Sequence, residues 1–275
     1  MSMHLWRCCR SLWRFRDYRP QRVNLTTLRK WLSQFEPGDR KLLMRLLDHV
    51  IYLTKDQTRE LLVRRNQLLL KKLKESGIHE SRIIYIQIDE AGSSSSLMLN
   101  MLKEAAMLEK RNCNFLDSRD ISGLHDLTNK IGEGAIIYVD DFIGSGDQFC
   151  KSYDFSKDFI IGTFSKFLLS ACICEEALYE LAPRGVTAST DFIHSVAERP
   201  LHDLNSLFEP EEKERLIEIG KRNNKKGGLG YKSLATMVVL YRNAPNSLPR
   251  LLRGDMNQNP NVGILPRLQD LPVRK

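Results

Sequence analysis

From about residue 80 onward the apolar positions fall into two kinds of run. Arg82–Ile88 (RIIYIQI) and Ala135–Asp141 (AIIYVDD) are short and almost continuously apolar, the pattern of strands covered on both faces. Between them, Leu97, Met101, Leu102, Ala105 and Leu108 recur at helical spacing over Leu97–Lys110. Phe115–Asp117 predicts a short strand and Ser122–Ile131 a helix. Phe167–Cys174, Glu175–Leu181 and Val186–Phe192 then predict strand, helix and strand. Glu211–Lys221 predicts a further helix, and Leu234–Tyr241 (LATMVVLY) a last strand. Strands separated by helices predict an α/β fold, a mostly parallel twisted sheet flanked by helices.

Upstream the period is helical. Thr26 or Thr27 caps a first helix through Trp31 and Phe35, and Pro37-Gly38-Asp39 ends it. Leu42, Leu43, Leu46, Leu47, Val50 and Ile51 follow at helical spacing. Thr54 caps a third segment with Leu61, Leu62, Leu68, Leu69 and Leu73 on its apolar side, and Gly77 stops it. The expected organisation is a basic aromatic extension (1–24), a helical layer (25–78), an α/β domain (79–252) and a basic tail (253–275). The helical layer either covers the sheet or holds a protein partner through residues 25–76. No internal repeat, Walker phosphate loop or G-x-G-x-x-G helix opening is present.

Charge changes this picture less than its total suggests. The 275 residues carry a net charge of +8, which invites nucleic acid or a membrane surface as partner. Yet residues 1–24 hold six arginines against one aspartate, and residues 250–275 hold five bases against two acids. The stretch between them is formally neutral. Trp6, Trp13, Phe15 and Tyr18 interleave with the N-terminal arginines. Such alternation suits RNA, single-stranded DNA or a membrane interface, or a tail that docks on the body. The six cysteines form no C-x-x-C pair, so Cys172 and Cys174 read as packing residues on one strand face. No signal-peptide core and no run of ~20 apolar residues occurs, so a cytoplasmic location without a membrane span is expected.

The densest chemistry is Ile136-Ile-Tyr-Val-Asp140-Asp141-Phe142-Ile143-Gly144-Ser145-Gly146-Asp147-Gln148. Two carboxylates close a buried strand, and a Gly-Ser-Gly turn leads to a helix. Ligands of open α/β sheets bind beyond the carboxyl ends of the strands, where this segment would lie. Glycines let backbone N–H groups converge, and the following helix adds its positive end, so the loop suits a phosphate. The acids accept hydrogen bonds from sugar hydroxyls or help to place a divalent cation. A phosphate next to vicinal hydroxyls describes a ribose 5-phosphate. A bare structural turn, or the acidic pair of a receiver domain, is the competing interpretation; in receiver domains the acids follow the first strand, and here they follow a third. No Ser/His/Asp or Cys/His triad can be assembled from the spacings.

That run resembles the fingerprint of type I phosphoribosyltransferases. The resemblance implies that Asp140 and Asp141 hold the ribose 2′- and 3′-hydroxyls of phosphoribosyl pyrophosphate, with Mg²⁺ bridging these hydroxyls and the pyrophosphate. It implies that Gly144, Ser145, Gly146, Asp147 and Gln148 cradle the 5′-phosphate. Gly92, Ser93, Ser94 and Ser95 occupy the place of the pyrophosphate loop. The chain is more closely similar to the divergent PRTase-CE group, phosphoribosyltransferase-like domains of bacterial conflict systems. The similarity rests on Trp31–Leu47, on Asp140–Gly146, and on Gly228-Leu-Gly230-Tyr231 with Val238–Pro249, and covers about residues 25–252. It implies a ribose-phosphate or nucleotide ligand and an effector role in anti-phage defence, or a non-catalytic sensor in a defence complex. Three features depart from the enzymes: the extra charge of Asp147, no basic residue inside 93–96, and a short segment from Arg111 to Ile131 where a hood would close.

Overall fold

In the computed structural model, residues 12–88, 94–222, 228–255 and 261–271 are described. In chain order the elements are α1 (Leu25–Ser33), α2 (Arg40–Asp48), β1 (Ile51–Leu53), α3 (Lys55–Glu75), β2 (Ile83–Gln87), α4 (Ser94–Ala106), β3 (Asn114–Asp117) and α5 (Ile121–Ile131). They continue with β4 (Glu133–Ile143), α6 (Asp147–Ser156), β5 (Thr163–Cys174), α7 (Glu175–Leu181), β6 (Val186–Ser189), β7 (Ile193–His194), α8 (Pro210–Arg222) and β8 (Val238–Leu240). The chain divides into two compact units, residues 56–194 and the remainder on either side of them.

The unit spanning 56–194 is the predicted α/β fold. Its six-stranded sheet runs β3-β2-β4-β5-β6, with β7 also paired to β5, and every pairing is parallel. Parallel strands need crossovers, and helices supply them, so both faces are covered. Alternation along the strands sorts the core into two layers. Tyr85, Ile137, Val139, Phe167 and Leu169 join the leucines of α3 and the apolar side of α4. Ile84, Ile86, Ile136, Tyr138 and Leu168 join Leu124 of α5, Phe149 and Tyr153 of α6, and Ala177 of α7. Within the second layer the rings of Phe149 and Tyr153 stack 5.7 Å apart, and each meets Tyr138 edge-on. α6 is thereby anchored beneath the carboxyl half of β4.

The other unit gathers the N-terminal helices and the C-terminal segment around one core, in which Trp31 donates from Nε1 to the Leu251 carbonyl at 2.8 Å. Here two expectations are corrected. Ile51 belongs to a strand rather than to the helix before it, and β1 pairs in parallel with β8 as a separate two-stranded sheet. The strand expected over Leu234–Tyr241 shrinks to Val238–Leu240, because Lys232, Ser233 and Ala235 take positive φ. The whole run is buried, so no periodicity could reveal the break.

The units cut the chain differently from composition. α1 and α2 bury their apolar sides in the second unit, while α3 covers the sheet. The N-terminal extension is not a loose tail where it is described: Phe15, Tyr18 and Val23 are core residues, alongside Ile264 and Leu265. No helix among the described residues is long and apolar enough to cross a membrane.

Candidate functional site

The site lies at the carboxyl end of the six-stranded sheet and is built from β4 outward. β4 does not stop at its acids but runs two residues further, to Ile143. Asp140 is buried and Asp141 half-buried. Strict alternation would send their side chains to opposite faces. Local hydrogen bonds from the backbone hold both carboxylates. The Asp141 amide donates to Asp140 Oδ1 at 2.8 Å, and the Phe142 amide donates to Asp141 Oδ1 at the same distance. One oxygen of each carboxylate is pinned by the next residue's N–H. Ser170 of β5, directly opposite Asp140, donates from Oγ to the Asp141 carbonyl at 3.1 Å.

Beyond Ile143 the chain turns through Gly144 and Ser145, which are half-buried, and the buried Gly146. Gly146 has φ +82°, in the left-handed region that a side chain disfavours. A Cβ there would stand 3.4 Å from the Cβ atoms of Ala177 and Glu180. The Gly146 carbonyl accepts the first helical bond of α6 from the Cys150 amide at 2.8 Å. Asp147 and Gln148, expected in the loop, are the first residues of α6. The Asp147 amide takes Ser145 Oγ at 3.3 Å. A helix start offers N–H groups without intrahelical partners and a favourable potential for anions. Asp147 already exploits that potential, which accounts for its tolerated extra charge.

The opposite wall comes from β2. Its carboxyl end is held by two hydroxyls, Ser118 Oγ at 2.6 Å and Ser152 Oγ at 3.0 Å, both donating to the Ile88 carbonyl. Gly92 and Ser93 lie outside the described residues. Ser94 and Ser95 form the first turn of α4 rather than a loop, and Ser94 Oγ reaches Asp140 Oδ1 at 3.4 Å. The acids of β4 and the serines after β2 therefore meet in one place. Ser118, Ser152 and Ser170 carry no signal in the sequence, since their role depends on strand neighbours 29 to 64 residues away. Between β3 and α5 only Ser118–Asp120 intervene, so no hood-sized insertion stands there. Among the described residues no group of three or more metal-ligating side chains occurs. A cation at Asp140 and Asp141 would have to draw most of its ligands from substrate oxygens and water, a habit that suits Mg²⁺.

A family model matches residues 28–267 and is that of the PRTase-CE domain. The chain belongs to the PRTase-CE family. Two solved structures are similar to parts of this PRTase-CE protein. One is hypoxanthine-guanine phosphoribosyltransferase from Schistosoma mansoni in complex with IMP, at 12% identity and a TM-score of 0.33 over 50% of this chain and 65% of that one. The other is orotate phosphoribosyltransferase from Aeropyrum pernix, at 18% identity and a TM-score of 0.29 over 46% and 66% respectively. The match thus spans about two thirds of each of those chains. A comparison with curated proteins finds no match.

Proposed function

We propose that this PRTase-CE protein binds phosphoribosyl pyrophosphate, or a related ribose phosphate or nucleotide, at the carboxyl end of its parallel sheet. The observation that carries the proposal is the pinned acid pair beside the start of α6. Asp140 and Asp141 stand side by side near the carboxyl end of β4, each held by the following amide, and Gly146 turns the chain so that the α6 N–H groups follow within a few residues. The carboxylates would accept the ribose hydroxyls, and Gly144 to Gln148 would take the 5′-phosphate. Ser94 and Ser95, with Gly92 and Ser93, would face the pyrophosphate, and Mg²⁺ would neutralise it. Transfer at C1′ needs positioning and electrostatic support rather than a general base. The reading places the protein in the cytoplasm as an effector in bacterial anti-phage defence, as the family resemblance implies.

Binding without turnover, as in a nucleotide sensor, is the second reading, favoured by the three-residue connection between β3 and α5. Calorimetric titration with phosphoribosyl pyrophosphate and with ribose 5-phosphate, with and without Mg²⁺, tests the site. Asp140→Asn/Asp141→Asn should weaken ribose 5-phosphate by about 100-fold, as two charge-assisted hydrogen bonds are lost. Unchanged affinity in that variant would remove the assignment. Pyrophosphate release, followed in the same samples with candidate acceptor bases, separates enzyme from sensor.

A further inference from the structure

The far side of the same sheet edge carries an arrangement that the site described above does not use. Ser189 ends β6 and pairs with Leu169, while Asp140 pairs with Ser170, the next residue of β5. Asp140 and Ser189 therefore stand at nearly the same height on the two strands flanking β5. The usual strand spacing puts their backbones about 10 Å apart. α3 reaches this point from the layer above. Arg65 donates from Nε to Ser189 Oγ at 3.3 Å, and one residue later Asn66 accepts the Tyr85 hydroxyl at 2.8 Å. Ser189 is followed by a turn in which Thr190 Oγ1 accepts the Phe192 amide, and β7 then returns to the carboxyl end of β5.

Inside that turn, Asp191 is shared by two guanidinium groups. Arg64 Nε lies 3.0 Å from Oδ2 and Arg65 Nη1 lies 3.6 Å from Oδ1. Among the described residues of this unit, Arg82 pairs with Glu133, Arg111 with Glu80, and Arg184 with Glu180 and with Asp154, which Lys157 shares. Glu60 stands one turn before Arg64, at the spacing that favours a helical pair, yet Arg64 turns to Asp191. Two guanidiniums carry ten N–H donors, and among the described residues they share a single carboxylate, a surplus of one positive charge.

We propose that Arg64 and Arg65 recognise a carboxylate on the group that the ligand carries at C1′ of its ribose. The inference rests on the ribose-phosphate reading of Asp140, Asp141 and the α6 loop. With the ribose on β4 and the pyrophosphate toward β2, the C1′ substituent extends toward β5 and β6, where the arginines stand. The surplus of one charge matches a monoanion; a phosphate ester brings about −1.5 to −2 at neutral pH and would exceed it. Guanidinium forks also match the planar, bidentate geometry of carboxylates.

The test compares uridine 5′-monophosphate with orotidine 5′-monophosphate, which differ by one carboxylate on the base, by calorimetry on the full chain. Wild type should bind the orotidine nucleotide about tenfold tighter, the worth of one charge-assisted hydrogen-bonded pair at a partly exposed site. Arg64→Gln/Arg65→Gln should bring the ratio of affinities close to one, and Arg64→Lys/Arg65→Lys should keep part of it. If thermal melting shows the double glutamine variant to be unfolded, Arg64→Gln alone should still lower the ratio, since that side chain is 55% exposed. Equal affinities in wild type, or a ratio that survives in the folded glutamine variants, would overturn the proposal. Ribose 5-phosphate reports on the underlying site separately. If it binds and depends on Asp140 and Asp141, the nucleotide ratio alone decides. If it does not bind, the site reading fails, and this inference with it.

Discussion

Single residues in this protein are held in place by their immediate neighbours in sequence. Asp140 and Asp141 are oriented by the amides that follow them, and Gly146 supplies the positive φ that starts α6. Gly146→Ala forces a side chain into the left-handed region, at about 1–2 kcal/mol, and brings its Cβ within 3.4 Å of two others. Chemical denaturation should show that loss, and ribose 5-phosphate affinity should fall with it. An unshifted midpoint would mean that the turn does not hold this conformation. Cys113 behaves differently, because its surroundings are tertiary. Burial, and then Glu80, push its thiol up to about 11, against a smaller opposing effect of Arg111. A thiol raised in this way keeps its proton, so the stabilisation is complete below the unfolded value and disappears as pH climbs through about 11. At pH 8, iodoacetamide should label Cys113 at least about tenfold more slowly in folded than in unfolded protein. Peptide mapping by mass spectrometry measures the two rates, and equal rates would contradict the assignment.

At the scale of elements, the pattern of apolar residues located β2, β4 and β5 and the helices between them. It missed where β4 ends and where α6 and α4 begin. Glycine and serine clusters read as loops, yet Ser94, Ser95, Asp147 and Gln148 are first-turn residues of helices, where small polar side chains are equally at home. α2 shows a cap drawn from outside its own segment. Arg14 donates from Nη1 to the carbonyls of Asp48 and Val50, both at 2.9 Å, just where the helix leaves carbonyls without partners. A cation there also complements the helix dipole. Arg14→Ala should cost about 1–3 kcal/mol by denaturation, and Arg14→Lys distinctly less. A change below about 0.5 kcal/mol would show that the contact is incidental.

For the whole molecule, the net charge of +8 has to be weighed against where the arginines go. Arg14 caps a helix, Arg19 lies 5.3 Å from the centre of the Tyr241 ring, Arg16 stacks on Trp13, and Arg253 is buried. Among the described residues, part of the basic character near the chain ends is thus engaged in contacts within the chain, although Arg16 and Arg19 stay exposed. Binding to single-stranded DNA at 0.15 M salt should be no tighter than about 10⁻⁶ M, within the non-specific range. A nanomolar affinity in fluorescence anisotropy would refute this. Deletion of residues 1–24 should lower the melting temperature of the chain rather than trim a tail, since Phe15, Tyr18 and Val23 leave the core with it. An unaltered melting curve would show that the segment is dispensable.

The sequence by itself determined the fold class and singled out the candidate site. Continuous apolar strands between amphipathic helices admit few layer arrangements, and adjacent acids before a Gly-Ser-Gly turn have a meaning wherever that strand is central to a parallel sheet. Tertiary structure alone decided three things. It joined β1 to β8 across about two thirds of the chain, split the N-terminal helices between two units, and brought Arg64 and Arg65 to Asp191. The reason is one of range. Periodicity and caps act over a few residues and are written into neighbouring positions, whereas a pairing over more than 120 residues depends on where the sheet edge falls, and no local pattern encodes that.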